Sequence, residues 1–388
     1  AFDWWKGPHE MTARISRYLE DVKPATPCLV VDLEAVAEAY ESLQRALPMA
    51  TIYYAMKANP ARPVLEVLAD LGSSFDCASI YEIEDAIAAG APVERLSFGN
   101  TIKKQSDIAK AWALGVTMFA FDCEAELEKL AAAAPGARVY CRLVMDGAGA
   151  DWPLARKFGC ELDMAYDLML KARDLGLDPF GLSFHVGSQQ RDVGQWDVAV
   201  GRTAMLFTDL AEAGVKLRMV NIGGGFTARY RTDAPDQHDH ATAVIEALNR
   251  HFGNRMPEIV VEPGRSLVGD AGIIQAEVVL ISRKGYEDDT RWVYLDIGKF
   301  GGLIETMDEA IKYRLRTPYD GGHARTSPVV IAGPTCDEVD VLYRNSGYEM
   351  PEALSVGDKI EILSTGAYTT TYCSVGFNGL PPLQTHCI

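Results

Sequence analysis

A regular alternation of short apolar runs with helical stretches is the feature of this sequence that most restricts the possible folds. From residue 28 to residue 265, each apolar run is followed by a small turn and then by a stretch with an amphipathic, helical pattern. Strands that alternate with helices predict a parallel sheet that is buried on both faces. The predicted strands occupy residues 29–33, 51–57, 74–79, 96–100, 118–123, 138–144, 181–187, 219–225 and 258–264. Because roughly eight or nine such units fit into about 240 residues, we expect an α/β fold that closes into a (β/α)8 barrel.

The pattern changes after Arg265. Strand-like runs then follow one another with few helical stretches between them, at residues 273–284, 291–297, 327–333 and 358–364. This order predicts an antiparallel β domain in the C-terminal part of the chain. We therefore expect three parts: residues 1–27, which pack with the β domain, a barrel over residues 28–265, and the β domain over residues 266–388.

The charge of the chain restricts its partners. The 37 basic and 54 acidic side chains give a formal net charge of −17. A surface this acidic repels nucleic acids and anionic membranes, whereas it does not repel a cationic small molecule. No apolar run approaches the roughly 20 residues that span a bilayer. We expect neither a nucleic acid nor a membrane as a partner.

The eight cysteines indicate the redox environment of the chain. They are scattered and form no CxxC pair, and residues 1–10 mix aromatic and charged side chains, unlike a secretory signal. Such cysteines are typical of reduced thiols, so we expect a cytoplasmic protein. No metal site is expected: His238, Asp239 and His240 resemble a metal motif, but a solvated turn before a helix is the simpler interpretation.

Polar side chains stand at the ends of several predicted strands. Lys57, His185, Glu262 and Arg265 end or follow apolar runs, and residues 223–225 form a glycine triplet at the end of another. Each has a simpler explanation alone: a surface cap for the lysine, a core residue for the histidine, a tight turn for the glycines. In a (β/α)8 barrel, however, the C-terminal strand ends meet at one rim, where active sites lie. The joint placement therefore predicts a site at that rim.

These residue types suit a phosphorylated pyridine aldehyde. Backbone N–H groups bind a phosphate where glycine allows close approach, and the triplet with Ser188 and Arg265 supplies such a cradle. Lys57 is the candidate for a covalent bond to the aldehyde carbon. His185 is the candidate to stack on the ring, and Glu262 to keep the pyridine nitrogen protonated, which makes the ring a strong electron sink.

Eight short strings follow one another along the chain. They are YAMKANP at 54–60, FDCAS at 75–79, FHVGS at 184–188, IGGGF at 222–226, EPGR at 262–265, GPTCDEVD at 333–340, GAYT at 366–369 and FNG at 377–379. In content and order they resemble the fold-type III pyridoxal-phosphate (PLP) decarboxylases, the family of ornithine, lysine and diaminopimelate decarboxylases. The resemblance covers nearly the whole chain. It implies PLP as the cofactor, bound in a (β/α)8 barrel that is followed by an antiparallel β domain.

The resemblance also implies a role for each matching residue. Lys57 would carry the cofactor covalently, and Asp76, Glu82 and Arg142 would form a charged network near it. The implied catalytic residues are Lys57, Cys336, His185 and Glu262. The implied cofactor-binding residues are Lys57, Asp76, Arg142, His185, Ser188, Gly224, Gly225, Glu262, Pro263, Gly264, Arg265 and Tyr368.

Cys336 has a special place in this scheme, because it would protonate the substrate carbon after carbon dioxide leaves. In the family, the loop with this cysteine reaches into the site of the neighbouring subunit, so a homodimer with shared active sites is expected. Residues 146–159, which are rich in Gly and Ala, correspond to the mobile loop over the family's active site.

The expected substrate is a basic amino acid. Asp337 follows Cys336, where diaminopimelate decarboxylases typically have Glu, and this aspartate binds the distal ammonium in ornithine-type enzymes. The implied substrate-binding residues are Asp308, Asp337, Cys336 and Phe377, with Glu305 as the second choice for Asp308. The resemblance thus implies L-ornithine conversion to putrescine, and L-lysine conversion to cadaverine, in polyamine biosynthesis. One methylene is worth only about 1–3 kcal/mol of discrimination, so the sequence leaves open whether the enzyme accepts lysine beside ornithine.

Other activities stay open on the sequence alone. The substrate could be diaminopimelate, carboxynorspermidine or a D-amino acid. A PLP racemase of the alanine racemase type is disfavoured, because that type has an arginine at the pyridine nitrogen where this chain has Glu262. A non-catalytic regulator that resembles antizyme inhibitors is disfavoured too, because Lys57, His185, Arg265 and Cys336 are all present.

Overall fold

A computed structural model describes residues 9–152, 154, 156–320 and 324–388 of the chain. The N-terminal residues 1–10 do not resemble a secretory signal, and residues 1–8 of them lie outside the described residues. Positions 153 and 155 of the predicted loop at 146–159 lie outside them as well. The chain forms two compact units. The barrel unit comprises residues 37–227 and 234–266, and the sheet unit comprises the described residues up to 36 with residues 228–233 and 267–388.

The helices and strands alternate over most of the chain and give way to strands near its end. The α-helices are α1 (His9–Val22), α2 (Leu33–Ala46), α3 (Arg62–Asp70), α4 (Ile80–Ala88), α5 (Gln105–Leu114), α6 (Glu124–Ala133), α7 (Leu162–Asp174), α8 (Gln195–Glu212), α9 (Gln237–Phe252) and α10 (Arg265–Val268). The strands are β1 (Cys28–Val31), β2 (Ala50–Ala55), β3 (Ser74–Cys77), β4 (Leu96–Phe98), β5 (Met118–Phe121), β6 (Arg138–Arg142), β7 (Ala150–Trp152), β8 (Asp178–Ser183), β9 (Ser188–Gln190), β10 (Met219–Asn221), β11 (Glu258–Val261), β12 (Gly272–Ser282), β13 (Arg291–Leu295), β14 (Leu315–Arg316), β15 (Thr326–Ala332), β16 (Val341–Pro351), β17 (Lys359–Leu363) and β18 (Gln384–Cys387).

The barrel unit is built on a closed sheet of parallel strands, in the order β2-β3-β4-β5-β6-β8-β10-β11 and back to β2. Its strands are short and apolar because both faces are covered, and every residue of β3 and β5 is buried. The side chains that fill the centre form one cluster, made of Met118, Ala120, Tyr140, Phe180, Met219 and Val260. The predicted (β/α)8 barrel is confirmed.

One predicted strand does not belong to the barrel. Residues 29–33 were expected to start it, but β1 pairs in the sheet unit with β12 on one side and β18 on the other. All residues of β1 are buried, so its sequence looks like that of a barrel strand. The periodicity of such an apolar run does not tell which sheet it joins, and this is why the assignment was wrong.

The sheet unit contains a second, mostly antiparallel sheet, as predicted. Its main strand order is β14-β17-β12-β13-β15-β16. Among the described strands of this sheet, only the pairs β1–β18 and β13–β15 are parallel. Helix α1 belongs to this unit, because its buried Ile15 and Leu19 pack with Cys28, Val30 and Ile273.

Helix α9 corrects the interpretation of residues 238–240. They form no solvated turn but the first turn of α9, which begins with a capping box between Asp236 and Asp239. His240 is fully buried, and its Nδ1 accepts a hydrogen bond from Trp196 Nε1 at 3.2 Å. Nowhere in the described chain do three or more His, Cys, Asp or Glu side chains form a group that could hold a metal ion. No helix among the described residues is both long and apolar enough for a membrane crossing.

Candidate active site

Lys57 stands just beyond the end of β2, on a short 3-10 turn formed by Met56–Ala58. The two neighbours of Lys57 on this turn are buried, whereas half of the lysine side chain is exposed. A hydrogen bond of 2.8 Å from Tyr54 Oη to the carbonyl of Asn59 holds this turn against the end of β2. The fold therefore holds the backbone of Lys57 in place, while the half-exposed side chain extends beyond the end of β2.

Asp76 lies beside Lys57 on the neighbouring strand β3. Its Oδ2 is 3.8 Å from Lys57 Nζ, and only 5% of the residue is exposed. Its Oδ1 is buried and accepts no hydrogen bond from any described residue. A Cβ atom at Gly99 would stand 1.8 Å from Oδ1, so this glycine gives the carboxylate its space. A buried carboxylate with a spare acceptor atom is costly unless a positive group or a donor joins it.

Glu82 completes the acidic side of this network. Its Oε2 accepts a hydrogen bond of 2.5 Å from the backbone N–H of Ala78. Loss of hydration raises the pKa of Glu82, and the charge of Asp76 adds to this, whereas Lys57 acts in the opposite direction. Glu82 thus belongs to the same electrostatic system as Asp76 and Lys57.

Glu262 follows the end of β11. Its backbone N–H donates to the carbonyl of Gly223 at 2.8 Å. Loss of hydration raises the pKa of its carboxyl to about 8, and the charge of Asp76 contributes, while Lys57, a hydrogen bond from Asn221 and Arg142 oppose the shift. The positive charges and hydrogen bonds that the protein supplies thus do not fully offset the loss of hydration of the ionised carboxylate. It is placed to gain from a positively charged ligand group such as a protonated ring nitrogen.

Arg142 is the last residue of β6 and belongs to the same network. Its guanidinium loses hydration, which lowers its pKa, while the carboxylates of Glu262, Asp122 and Asp76 favour the charged form. Next to it on the same strand, Tyr140 Oη lies 3.2 Å from Ser97 Oγ. One network of electrostatic interactions thus connects five charged side chains, those of Lys57, Asp76, Glu82, Arg142 and Glu262.

His185 follows the end of β8. Loss of hydration lowers the pKa of its imidazole to about 3, and the positive charges of Arg142 and Lys57 lower it further. Its Nδ1 accepts a hydrogen bond of 2.9 Å from the backbone N–H of Gly187. The ring is therefore neutral with its proton on Nε2. A neutral flat ring at this rim is suited to stack on an aromatic ligand.

The glycine triplet after β10 is required by close backbone contacts. A Cβ at Gly223 would lie 2.3 Å from the carbonyl oxygen of Phe184, and one at Gly224 would lie 2.6 Å from that of Glu262. Gly225 has a φ of +106°, and a Cβ there would lie 2.7 Å from the carbonyl oxygen of Gly187. No other residue type fits at these three positions without displacing the backbone of adjacent strand ends.

Ser188 and Arg265 stand at the same rim and touch each other. The Nη2 and Nε atoms of Arg265 lie 3.1 and 3.3 Å from Ser188 Oγ. Arg265 is only 3% exposed. The preceding Pro263 accepts a hydrogen bond of 3.0 Å from Ala55 N, which ties the end of β11 to the end of β2, and Gly264 leads into α10. A buried guanidinium beside a hydroxyl and a glycine cradle is a typical anion site.

The barrel unit thus holds the expected cofactor residues, apart from Tyr368, at one end of the barrel. They come from the C-terminal ends of β2, β3, β6, β8, β10 and β11, which meet because the strands are parallel and the sheet is closed. Four features of this rim match the four parts of PLP. They are the half-exposed lysine for the aldehyde, the neutral imidazole for the ring, the buried carboxylate of Glu262 for the ring nitrogen, and the arginine–serine cradle for the phosphate. The residues present fit this cofactor.

The other predicted residues lie in the sheet unit. Cys336 is exposed. Its backbone N–H donates to Asn378 Oδ1 at 3.1 Å, and its Sγ receives a hydrogen bond from Asn378 Nδ2 at 3.3 Å. Asp337 is exposed too, and its Oδ1 accepts a hydrogen bond of 3.0 Å from the N–H of Val339 within a turn.

A surface groove of about 770 Å³ runs beside the Cys336 turn. Asp308 lines it together with Thr306, Glu338 and Val339. Asp308 is exposed with a φ of +50°, whereas Glu305, the second choice for its role, is only 1% exposed. Of the two acids, Asp308 is therefore the one that an incoming ammonium group can reach from solvent.

Phe377 and Tyr368 occupy two turns of the sheet unit. The ring of Phe377 lies 4.5 Å from that of Phe300. Tyr368 has a φ of +55°, which is a rare conformation for a bulky side chain. Its turn is packed tightly, because a Cβ at Gly366 would lie 1.9 Å from the carbonyl oxygen of Val268. Strained turns of this kind occur often at functional sites.

The predicted loop at 146–159 contains a short strand. Strand β7 pairs with β9, so that Trp152 faces Ser188 in the ribbon. Arg191 is bonded to Asp151 at 2.7 Å across the same ribbon. The loop is therefore joined by backbone hydrogen bonds to the segment that carries Ser188.

The sequence analysis missed three residues that contact predicted site residues within their own units. Asn221 bridges the glycine triplet and Glu262, since its Oδ1 accepts from Gly223 N at 2.9 Å. Gly99 makes room for Asp76, and Asn378 contacts Cys336. Asn221 stands next to the string IGGGF, and Asn378 lies within the string FNG, so proximity to a motif was the available signal.

The fold and the site define a PLP enzyme of the barrel type. The sequence profile described as "Pyridoxal-dependent decarboxylase, pyridoxal binding domain" matches residues 33–269. The chain is 35% identical over 356 residues to the lysine/ornithine decarboxylase of Selenomonas ruminantium, covering 91% of this chain and 87% of that protein. The chain therefore belongs to the family of pyridoxal-dependent decarboxylases.

Solved structures of two other relatives are similar over nearly the full length. The lysine/ornithine decarboxylase from Vibrio vulnificus, complexed with cadaverine, gives a TM-score of 0.86 at 29% identity, covering 98% of this chain and 99% of that one. The arginine decarboxylase of Paramecium bursaria Chlorella virus, bound to agmatine, gives 0.89 at 26% identity, covering 97% and 100%.

Proposed function

We propose that this enzyme decarboxylates L-ornithine to putrescine and also accepts L-lysine, which it converts to cadaverine. The observation that carries the proposal is the network at the barrel rim. Lys57 Nζ lies 3.8 Å from a buried Asp76, and the pKa of Glu262 is raised to about 8 in the same network. This arrangement suits a covalently held cofactor whose ring nitrogen stays protonated.

When bound, PLP supplies an electron sink for the electron pair that carbon dioxide leaves behind. Lys57 would hold the cofactor. Glu262 would stabilise a proton at the ring nitrogen, and that positive charge would lower the raised pKa of the Glu262 carboxyl. His185 would stack on the ring, and Arg265 with Ser188 would bind the phosphate. Asp76 and Arg142 contribute one acidic and one basic group to the charged network that includes Lys57.

The sheet unit supplies the residues that act on the substrate. Cys336 Sγ delivers a proton to Cα after decarboxylation, and Phe377 borders the same part of the site. Asp337 and Asp308 bind the distal ammonium of the substrate, because two exposed carboxylates attract a cation at the end of an aliphatic chain. We assign Tyr368 to the phosphate, as the resemblance implies.

A basic substrate is supported by the relatives and by charge. The relatives named above are the lysine/ornithine decarboxylase of Selenomonas ruminantium, that of Vibrio vulnificus with cadaverine, and the viral arginine decarboxylase with agmatine. All three names refer to amino acids with a cationic side chain. Asp337, in place of a longer acid, and Asp308 are both exposed carboxylates that suit such a side chain. Because the Chlorella virus relative is an arginine enzyme, L-arginine is the third substrate to test.

The proposal extends to the biological setting. We place the enzyme in polyamine biosynthesis, as a homodimer that shares its active sites, in the cytoplasm. The functional domains would be a barrel for the cofactor and a β domain for the substrate. Support for a reducing compartment comes from the cysteines, since all eight belong to the described residues and all are free thiols.

The experiment is a measurement of carbon dioxide release with added PLP. The panel contains L-ornithine, L-lysine, L-arginine, D-ornithine, D-lysine and meso-diaminopimelate. We expect release from L-ornithine and L-lysine, and the ratio of their kcat/KM values then gives the preferred substrate. Release only from diaminopimelate or from a D-form would contradict the assignment of Asp337 and Asp308. Racemisation without release would contradict the proposed reaction.

A further inference from the structure

We propose that Asn378 is a positioning residue that holds the thiol of Cys336 for proton delivery to the substrate carbon. The proposal rests on the function proposed above and deepens it. It starts from a reciprocal contact: the amide of Asn378 accepts from the backbone N–H of Cys336 at 3.1 Å and donates to its Sγ at 3.3 Å. One side chain thus fixes both the backbone and the sulfur of the same cysteine.

Asn378 is itself presented by a turn that suits asparagine. It lies in the 3-10 segment Phe377–Gly379, where its φ is +51° and its ψ is 21°. Asparagine, aspartate and glycine enter this left-handed region more readily than other residues. The turn is closed by a hydrogen bond of 2.8 Å from Gly379 N to the carbonyl of Gly376. Ring packing of Phe377 against Phe300 anchors the same segment.

The Cys336 turn does not need Asn378 to keep its backbone shape. Asp340 is buried and holds the turn from inside, because its Oδ2 accepts from Thr335 N and Oγ1 at 3.2 and 2.7 Å. Its Oδ1 accepts from Lys299 N at 2.8 Å, and its N–H donates to the carbonyl of Asp337 at 3.1 Å. The hydrogen bond from Asn378 to the sulfur is therefore additional to what the turn requires.

The chemistry gives this additional bond a purpose. Protonation of Cα moves a proton from Sγ to carbon and leaves a thiolate, which solvent later protonates. An N–H donor aimed at sulfur restricts the rotation of the side chain and becomes stronger as negative charge forms on sulfur. Among the described residues of the chain, Asn378 is the one whose side chain is hydrogen-bonded to Cys336 Sγ, so it is the group that restricts the rotation of this thiol.

Two substitutions separate the parts of this contact. Asn378→Asp keeps an oxygen for the N–H of Cys336 but replaces the donor to sulfur by an anion, which disfavours a thiolate. Asn378→Gly removes both hydrogen bonds without straining the left-handed backbone. Cys336→Ala gives the reference for complete loss of the proton donor. Asn254→Asp introduces the same charge at an exposed position of the barrel unit and serves as the control.

The readout is the fate of the electron pair after carbon dioxide leaves. If the proton reaches Cα, the amine product leaves and the cofactor remains PLP. If it reaches the cofactor carbon, the substrate nitrogen stays with the cofactor as pyridoxamine phosphate, and water releases the carbon skeleton as an aldehyde. No outside oxidant is needed. The ratio of pyridoxamine phosphate to carbon dioxide therefore reports proton delivery alone.

We expect this ratio to rise at least about tenfold in Asn378→Asp and Asn378→Gly, while carbon dioxide release in the first turnover changes less than about threefold. In a Cys336→Ala background, Asn378→Gly should add nothing, because both substitutions remove the same step. A ratio equal to that of the natural enzyme in both Asn378 variants, or independent effects of the two substitutions, would overturn the proposal. A purely structural role would lower carbon dioxide release and leave the ratio unchanged.

The same experiment keeps the two proposals apart. If the natural enzyme releases no carbon dioxide from any basic amino acid, the proposed function fails and takes this inference with it. If the natural enzyme is active and the ratio does not respond, only the role of Asn378 is wrong.

Discussion

The barrel unit and the sheet unit present their functional residues in opposite ways. In the barrel unit, Asp76 is buried, and Glu262 and His185 have pKa values of about 8 and 3 because they have lost hydration. In the sheet unit, Cys336 and Asp308 are exposed on turns. The barrel residues form a preorganised electrostatic system, whereas those of the sheet unit are shaped by local hydrogen bonds.

This difference suggests a division of labour. Residues held in a shared, poorly hydrated field determine how well the cofactor works, whatever the substrate is. Exposed residues on turns are easily changed without disturbing a core, so they can set which side chain is accepted. The comparison predicts that substitutions in the barrel network change the rate for all substrates alike, and that substitutions of Asp337 and Asp308 in the sheet unit change the relation between substrates.

The largest expected effect belongs to Glu262→Gln. The amide cannot compensate a positive ring nitrogen, so the electron sink is weakened in the step that releases carbon dioxide. We expect kcat to fall by roughly 10²–10⁴-fold for L-ornithine and L-lysine alike, with both substrates still bound. Steady-state kinetics of carbon dioxide release on the two substrates measure this.

A matched control lies on the same strand. Glu258→Gln changes the exposed first residue of β11 and should leave kcat unaffected. If Glu262→Gln lowered kcat for one substrate only, the proposed division between the units would be broken.

A smaller effect is expected from Asp337→Asn. Loss of a charged partner for the distal ammonium costs about 1.5–3 kcal/mol, which corresponds to a KM increase of roughly 10–150-fold. We expect kcat to change much less than KM, and the ratio between ornithine and lysine to shift, because the position of the carboxylate sets the preferred chain length.

The control for this variant is Asp288→Asn, which removes one charge from an exposed position of the same unit. It should leave both KM values as they are. A pure loss of kcat in Asp337→Asn, equal for both substrates, would mean that this residue behaves like one of the barrel network.

The smallest effect concerns the stability of the cofactor-free protein. The pKa of Glu262 is raised from 4.5 to about 8, so the folded protein holds a proton there that the unfolded chain releases. The corresponding stability is fully present below pH 4.5 and is lost as the pH rises through about 8. The Tm of Glu262→Gln should therefore exceed that of the natural protein increasingly with pH, by at least about 2 °C at pH 8.5.

Thermal unfolding at several pH values measures this gap, with Glu258→Gln as the reference. Added PLP should close or reverse the gap, because its protonated ring nitrogen offsets the buried charge. A Tm difference that stays constant from pH 5 to pH 8.5 would show that burial does not raise the pKa of Glu262.

Much of the barrel could be predicted from the sequence because its strands are fully buried runs separated by helices of the expected length. The misplaced strand at residues 29–33 shows the limit: β1 is equally apolar, and only its partners β12 and β18 reveal its sheet. Strand β16 (Val341–Pro351) was not predicted, because several of its residues are exposed and polar, including Arg344 and Glu349.

The site followed the same rule. Lys57, His185 and Glu262 could be found because they interrupt apolar runs at strand ends. Asn221 could not be assigned, since its role depends on a side-chain bond to a residue of another strand. Asn378 lies 42 positions from Cys336 in the sequence, so only the folded chain brings the two together.

The most direct test of the central claim is to find the residue that carries the cofactor. The protein is incubated with PLP, reduced with sodium borohydride, digested and analysed by mass spectrometry. We predict one reduced pyridoxyl-phosphate adduct, on Lys57, in the natural protein and in Cys336→Ala. An adduct on another lysine, or none in a preparation that releases carbon dioxide from L-ornithine, would contradict the account.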